Sequence, residues 1–366
     1  MTDPRLSLQF GVFITPLADQ ADAVLELAEA ADVLGLDLVS FQDHPYQARF
    51  LDTWTLLSVV AAHTANVQIA PNVINLPLRP PAVLARAAAS LDILSGGRVA
   101  LGLGAGAFWD GVAAMGGPRR TPGQSVVALG EAIDVIRALW ATGEPGAVRF
   151  QGEHYQVVGA HRGPAPAHPI PIWLGAYKPR MLALTGAKAD GWLPSLGYAD
   201  PADLAAMAAR IDAAAQRAGR RPQDIRRMYN INGRFGSGSG FLQGSPDEWA
   251  RQLAELTLTA GITTFILSVS SDTEVRRFAE EVAPAVRALV QAERGSAAAA
   301  PSAAAGPPAA APARASAAPL QVTPTPDDGT RHSDRVPWDE ASRPAAPAPD
   351  PGRHYTPDEQ AAGQHL

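Results

Sequence analysis

The sequence predicts an α/β protein whose first 293 residues form a (β/α)8 barrel. Three observations lead to this prediction. Short apolar segments alternate with longer helical patterns eight times along residues 1–293. Most of the short segments are rich in Val, Ile and Leu and are apolar on both faces, which is typical of parallel strands covered by helices. Eight such units with right-handed crossovers close into a barrel, and barrels of this kind often use more than about 250 residues as one domain.

The eight strand–helix units follow one another in order. The strands are predicted at residues 8–14, 38–42, 67–72, 99–103, 170–175, 191–194, 227–233 and 264–268. A helix is predicted after each strand, at about 20–34, 53–64, 80–94, 122–141, 178–187, 201–218, 246–260 and 272–292. The third helix ends at Ser95-Gly96-Gly97, because a glycine pair adopts left-handed backbone angles cheaply. Arg98 then opens the fourth strand at the bottom of the barrel, where we expect a structural salt bridge.

An insertion of about 25 residues separates the fourth helix from the fifth strand. Residues 148–152 and 154–158 predict a β-hairpin, and a proline-rich loop follows at 164–171. Loops at the top of a barrel are where substrates are selected. The insertion is therefore expected to shape the site.

The composition changes sharply near Arg294. Residues 294–355 are dominated by Ala, Pro and Ser, which predicts a disordered linker because the segment buries too little apolar surface to offset its ordering entropy. Residues 356–366 begin as a capped helix with Thr356, Pro357 and Glu359, and the sequence stops within about two turns. Either this short helix docks on the protein or the chain is cut at a domain boundary, and we favour the cut.

Composition limits the possible partners and the compartment. The formal charge is −6 with no basic stripe, which argues against nucleic acid. The chain contains no cysteine, so disulfides, zinc–thiolate sites and thiol nucleophiles are excluded. There is no secretory segment at the N-terminus and no apolar run of membrane-spanning length. These features predict a soluble, cytoplasmic protein with no membrane partner.

The active site of such a barrel lies where the strands end. Asp43 and His44 end the second strand, and histidine is the side chain best matched to proton transfer near neutral pH. The alternative is that Asp43 caps a turn and His44 is a surface residue. His154, His161 and His168 are scattered along the insertion, which does not predict a metal site.

The third and fourth strands also end in unusual residues. Asn72 and Val73 lie where prolines and asparagines interrupt an apolar run, which predicts an irregular, bulged strand end. The fourth strand ends in Gly104-Ala105-Gly106, where a large flat ligand could approach the backbone closely. Phe108 and Trp109 follow and either wall a substrate pocket or pack under the insertion.

The fifth and sixth strands complete the set of candidates. Gly175, Ala176 and Tyr177 precede a helix that begins near Lys178, an arrangement that can hold a phosphate. The alternative is an ordinary strand-to-helix turn with a solvated lysine. Trp192, at the sixth strand, either faces the pocket or packs beneath it.

These features together resemble the bacterial luciferase-like monooxygenase family over residues 7–290. The resemblance includes the first turn with Gly11 and Pro16, Asp43-His44, the bulged third strand, the Leu-Ser-Gly-Gly-Arg connection, the insertion, Leu-Gly-Ala, and Ala-Asp-Gly-Trp. It implies FMN or the deazaflavin coenzyme F-420 at the top of the barrel, with phosphate held near Lys178 and a non-proline cis bond at Asn72-Val73 behind the ring. It also implies a homodimer. Within the family, the sequence as a whole is most similar to the methylenetetrahydromethanopterin reductase-like branch.

Two differences from the sequence pattern of that branch narrow the range of expected substrates. Its sugar-phosphate dehydrogenases have a glutamate where this chain has Ala107 and a tryptophan where it has Ala48. The resemblance therefore implies hydride or oxygen transfer to a small apolar or aromatic substrate, with His44 as proton donor, Asp43 orienting it and Phe108, Trp109 and Trp192 lining the pocket. With FMN, a separate reductase would supply electrons. The alternative is a non-catalytic cofactor-binding barrel tethered to a partner through the C-terminal linker.

Overall fold

The computed structural model describes residues 7–299, which form a parallel β-barrel surrounded by helices. The strands are β1 (Gln9–Ile14), β2 (Leu38–Phe41), β3 (Gln68–Pro71), β4 (Ile74–Asn75), β5 (Leu101–Gly104), β6 (Val148–Gln151), β7 (Gln156–Ala160), β8 (Ile172–Leu174), β9 (Gly191–Trp192), β10 (Arg226–Ile231) and β11 (Thr264–Val269). The helices are α1 (Ala21–Val33), α2 (Thr53–His63), α3 (Pro81–Ser95), α4 (Trp109–Ala114), α5 (Pro122–Trp140), α6 (Pro179–Lys188), α7 (Leu204–Arg217), α8 (Pro246–Ala260), α9 (Asp272–Arg277) and α10 (Ala283–Ala299).

The barrel has eight parallel strands, as predicted, and one of them is split. The sheet order is β3-β2-β1-β11-β10-β9-β8-β5-β4, and β3 and β4 are the two halves of the third strand. A parallel bridge between Ile69 and Val99 joins β3 to the start of the fourth strand. This bridge closes the barrel, because β3 is already paired with β2 on its other side.

Burial on both faces explains why these strands read as continuous apolar runs. All residues of β2 and β8 are buried. The main core lies between strands and helices and includes Phe10, whose ring meets Phe278 edge-on at a centroid distance of 5.7 Å. A second cluster takes one residue from each of several strands, among them Leu38, Ala70, Ala100, Trp173, Met228 and Ile266. We assign it to the barrel interior, where it fills the space below the strand ends.

The third helix ends where the glycine pair predicts. Gly96 adopts φ 73° and its N–H bonds back to the helix, so α3 stops at Ser95. The predicted salt bridge of Arg98 is absent from the ion pairs of the described residues. Its guanidinium instead donates to main-chain oxygens of Ala61, Thr64 and Val67 and clamps the α2–β3 connection from below.

The insertion forms the predicted hairpin, β6 paired antiparallel with β7. Glu131 of α5 holds its turn, because its carboxylate accepts the main-chain N–H groups of residues 153–155 at 2.6–3.0 Å. Burial opposes ionisation of Glu131, but these three hydrogen bonds outweigh it and lower the pKa of the carboxyl below 4.5.

The last described helix extends past the predicted end of the barrel domain at residue 293. Helix α10 continues through Ala299, so the first six residues assigned to the linker are helical, and the rest of the predicted linker and the helix start at 356–366 lie outside the described residues. None of the helices within residues 7–299 combines the length and apolar character needed to span a membrane.

Candidate functional site

A cavity of about 600 Å³ opens at the carboxyl ends of the barrel strands. Twelve of the fourteen residues predicted for the site line it, and the exceptions are Phe108 and Trp192. The twelve are Asp43, His44, Asn72, Val73, Gly104, Ala105, Gly106, Trp109, Gly175, Ala176, Tyr177 and Lys178. The structure therefore brings the ends of strands two to five together around one space, as the barrel rule requires. No residue of the insertion lines this cavity, so the expectation that the insertion shapes the site is wrong. The insertion joins a helix to the next strand, and such connections lie at the opposite end of the barrel from the strand ends that form the site.

Val73 forms an apolar surface on the cavity wall. The Asn72–Val73 peptide bond is cis, as the resemblance implies. The Val73 side chain packs against glycines of two neighbouring strands. A Cβ on Gly104 would lie 2.8 Å from Val73 Cγ2, whereas a Cβ on Gly175 would lie 3.6 Å from the same atom. Because both neighbours lack side chains, a flat ring can approach Val73 closely.

A pair of asparagines holds this wall across the barrel mouth. Asn72 Nδ2 donates to Asn230 Oδ1 at 2.7 Å, and Asn230 Nδ2 donates to Asn72 Oδ1 at 3.1 Å. Asn230 Nδ2 also donates to Ser195 Oγ at 3.0 Å, and Ser195 lines the cavity. Asn230 was not predicted, although a polar residue inside the apolar strand β10 is a usable signal. The network ties strand three to strands six and seven.

Asp43 is fully buried and paired with Arg79. Its carboxylate accepts hydrogen bonds from Arg79 Nε at 2.8 Å, from Arg79 Nη2 at 2.7 Å and from the main-chain N–H of Asn75 at 3.0 Å. Burial alone would lower the pKa of Arg79, but the bonds to Asp43 and Asp52 outweigh burial and raise it. Asp43 thus anchors the chain between β4 and α3. Arg79, the single charged residue of segment 71–81, was not predicted.

His44 lies in the cavity wall within an aromatic group. Its ring stacks on Tyr46 at a centroid distance of 5.5 Å and on Phe50 at 6.4 Å, and Phe108 meets it edge-on at 5.9 Å. His44 as a whole residue is 8% exposed. Phe108 is therefore a support for His44, and the predicted placement of Phe108 in the pocket lining is wrong.

Tyr46 lines the cavity beside His44 and was not predicted. Burial of its hydroxyl raises the pKa of Tyr46, the Asn75 side chain opposes this rise, and the Asp43 charge adds to it. The phenol therefore stays protonated in the physiological range. The short helix α4, also unpredicted, packs over Tyr46, because a Cβ on Gly111 would lie 2.8 Å from Tyr46 Cγ.

The turn after β8 forms the opposite side of the cavity. Tyr177 and Tyr198 contact each other at a ring-centroid distance of 5.5 Å, and Lys178 Nζ lies 5.5 Å from the Tyr177 centroid. Burial raises the pKa of Tyr198, and Tyr177 adds to the rise. Arg180, which the sequence analysis did not single out, lines the same side. Aromatic faces and two cationic side chains therefore meet here.

Trp192 packs beneath the site. Its side chain is fully buried, and its Nε1 donates to the Ala176 carbonyl at 2.7 Å. The prediction that Trp192 lines the substrate pocket is wrong. The physical reason is its hydrogen bond, which holds the indole under the turn after β8, where it supports the main chain of Ala176.

The arrangement suits a planar ring with an anionic side chain. The Val73 surface and the flanking glycines form a flat apolar surface, and the side with Lys178 carries positive charge. His44 lines the same space. Within the described residues, no group of three or more His, Cys, Asp or Glu side chains could hold a metal ion.

The comparisons with known proteins agree with this geometry. A model of the family described as luciferase-like monooxygenase matches residues 6–233. An F420-dependent glucose-6-phosphate dehydrogenase of Gordonia bronchialis is 31% identical over 281 residues, which covers 72% of this chain and 78% of the relative. A 5,10-methylenetetrahydromethanopterin reductase of Methanolobus tindarius is 33% identical over 220 residues, covering 60% of this chain and 63% of the relative.

A solved structure shares the fold. The structure of an F420-dependent secondary alcohol dehydrogenase in complex with an F420-acetone adduct superposes with a TM-score of 0.69 at 21% sequence identity. The superposition covers 77% of this chain and 99% of that chain. The barrel is therefore the same in both proteins.

Proposed function

Because the chain belongs to the luciferase-like monooxygenase family, we propose that it is an oxidoreductase that uses coenzyme F-420 or FMN. It transfers hydride or oxygen to a small apolar or aromatic organic substrate. The observation that carries the proposal is the cavity at the strand ends, where the Val73 surface lies between Gly104 and Gly175 and His44 lies in the wall. Relatives named as F420-dependent support the deazaflavin, and the family as a whole includes monooxygenases.

The chain's own residues divide the binding work. Val73 would support one face of a flat ring. Gly104, Ala105 and Gly106 at the end of the fourth strand have small side chains or none, so they would leave space for the edge of the ring. The turn at Gly175 and Ala176, together with Lys178, would bind the phosphate; the main-chain N–H of Gly175 itself donates to the Leu103 carbonyl. The cofactor, when bound, supplies or accepts the electrons. The Asn72–Asn230 pair keeps the Val73 surface in place, since it ties Asn72 to strand β10.

His44 moves the proton. Its imidazole lies in the cavity wall and is held on three sides by Tyr46, Phe50 and Phe108, which fixes the ring plane. A histidine in this position donates a proton to a substrate oxygen or takes one from it. Asp43 acts indirectly, because its bonds to Arg79 and to the Asn75 N–H fix the end of the strand that follows.

The lining favours an apolar or aromatic substrate. Trp109, Tyr177, Tyr198 and Met181 provide apolar and aromatic surface around the Val73 wall. The lining lacks the carboxylate expected for a sugar-phosphate substrate, although four relatives are F420-dependent glucose-6-phosphate dehydrogenases. Ala107 lines the cavity with no carboxylate, and Ala48 is exposed outside it. Two further parts of the proposal concern partners. The protein is a homodimer, and a separate flavin or deazaflavin reductase supplies the reduced cofactor.

Turnover with a matched pair of variants tests the proposal. The full chain is mixed with F-420 and with FMN, each with a panel of small aromatic and apolar alcohols, aldehydes, ketones and enones. We expect turnover that His44→Phe reduces by at least about 100-fold, since positioned acid–base groups contribute about 10²–10⁴-fold. The control is His63→Phe on α2, where the histidine is paired with Glu29. Equal loss of turnover and of cofactor affinity in His44→Phe would contradict the proton-transfer role.

A further inference from the structure

The formally charged side chains that line the cavity leave it with an excess of positive charge. Besides His44, they are Asp43, Lys178 and Arg180. Asp43 is neutralised by its two-point contact with Arg79. Neither Lys178 nor Arg180 has a carboxylate within 4.0 Å among the ion pairs of the described residues. A lysine and an arginine without carboxylate partners on one wall of the cavity point to an anionic ligand.

Both cations lie at the exposed end of the turn after β8. Ala176 is buried, whereas Lys178 and Arg180 are exposed. Lys178 precedes α6, and Arg180 lies in the first turn of that helix. A ligand that continues from the predicted phosphate position at Gly175 and Ala176 toward solvent therefore leaves the site on the side where both cations lie.

The start of helix α5 fixes where the Arg180 guanidinium lies. A Cβ on Gly123 would be 3.2 Å from Arg180 Nη1, so the guanidinium rests against the first turn of α5. Pro122 and Ser125 of the same turn line the cavity. The guanidinium therefore lies between α6 and α5 at the edge of the cavity.

We propose that Arg180 binds the carboxylates of the glutamyl side chain of coenzyme F-420 and thereby selects the deazaflavin over FMN. This inference rests on the proposed function. FMN ends at its phosphate, whereas the phosphate of F-420 is a diester that continues into a lactyl and glutamyl chain with several carboxylates. A guanidinium matches a carboxylate with two parallel hydrogen bonds, so Arg180 has a partner in F-420 that FMN does not offer.

Equilibrium titration of the full chain tests the inference without any need for turnover. The probes are F-420 with its glutamyl chain, the same deazaflavin ending at the phospholactyl group, the deazaflavin alcohol without phosphate, and FMN. Binding is followed by the fluorescence of the ligand or of tryptophan. The variants are Arg180→Ala and Arg180→Lys, and the control is Arg210→Ala on the exposed side of α7.

We expect Arg180→Ala to weaken F-420 about three- to tenfold, in a manner that high salt abolishes. Binding of the phospholactyl form and of FMN should stay within about twofold of wild type, and Arg180→Lys should recover part of the loss. An equal loss of affinity for all phosphate-bearing ligands would overturn the inference, because Arg180 would then bind the phosphate and not the glutamyl carboxylates. No change with any ligand would overturn it as well. If the wild-type chain binds none of the deazaflavins, the proposed cofactor itself fails, and that result is visible before any variant is made.

Discussion

Replacing Gly104 by alanine tests whether Val73 is held against a glycine surface. The new Cβ would lie 2.8 Å from Val73 Cγ2 and 3.3 Å from the Ile74 carbonyl oxygen. Val73 is β-branched and stiff at χ1, so it cannot rotate away without disturbing the wall. Relieving the contact requires a shift of several tenths of an ångström, and overpacking of this kind costs about 1–3 kcal/mol. At about 2–4 °C per kcal/mol for a domain of this size, we expect the midpoint of thermal unfolding to fall by about 2–12 °C.

Gly175→Ala is the matched control for this prediction. Its Cβ would lie 3.6 and 3.7 Å from the two Val73 methyl groups, which is ordinary van der Waals contact. The unfolding midpoint of Gly175→Ala should therefore stay close to that of wild type. Both variants are compared by circular dichroism in the absence of cofactor, so that binding does not contribute. If Gly104→Ala is as stable as Gly175→Ala, the packing of Val73 described here is incorrect.

Three further predictions concern proton transfer, the asparagine pair and the insertion. His44→Phe should leave cofactor affinity within about threefold of wild type while turnover falls at least about 100-fold, and a titration of the variant checks the first part. In a double-mutant cycle of unfolding free energies, Asn72→Ala and Asn230→Ala should couple by about 0.5–3 kcal/mol, and simple additivity would contradict the reciprocal bonds. Glu131→Gln should speed hydrogen exchange at residues 152–155. Folding lowers the pKa of Glu131, so the ionised carboxylate protects the turn above pH 4.5 and progressively less below it. Exchange in wild type should therefore be slower than in Glu131→Gln above pH 4.5, and the two rates should converge at lower pH. A ratio of the two exchange rates that does not change with pH would refute this prediction.

Much of the barrel could be predicted because its strands are buried on both faces. Every predicted barrel strand overlaps an observed one, since runs of Val, Ile and Leu bounded by Gly and Pro leave few alternatives. The split of the third strand between β3 and β4 follows from Pro71, Asn72 and Pro77 in the sequence. Helix α4 was missed, because it has six residues and follows Phe108, whose positive φ no local pattern predicts.

The site could be located but not fully assigned. The rule that barrel sites lie at strand ends was enough to find Asp43, His44 and the glycine turns. Arg79 and Asn230 were missed because their partners Asp43 and Asn72 are 36 and 158 residues away, and only the folded barrel brings them together. The orientation of Trp192 could not be predicted, since the strand it belongs to has two residues and shows no alternation.

Titration of the full chain with F-420 and with FMN tests the central claim most directly. The claim is that the cavity between Val73 and the turn at Gly175–Lys178 holds a planar cofactor with an anionic side chain. We predict saturable binding of F-420 with one site per chain, weaker binding of FMN, and loss of both when Val73→Asp places a charge on the ring surface. Absence of binding by either cofactor, or binding that Val73→Asp leaves unchanged, would contradict the account.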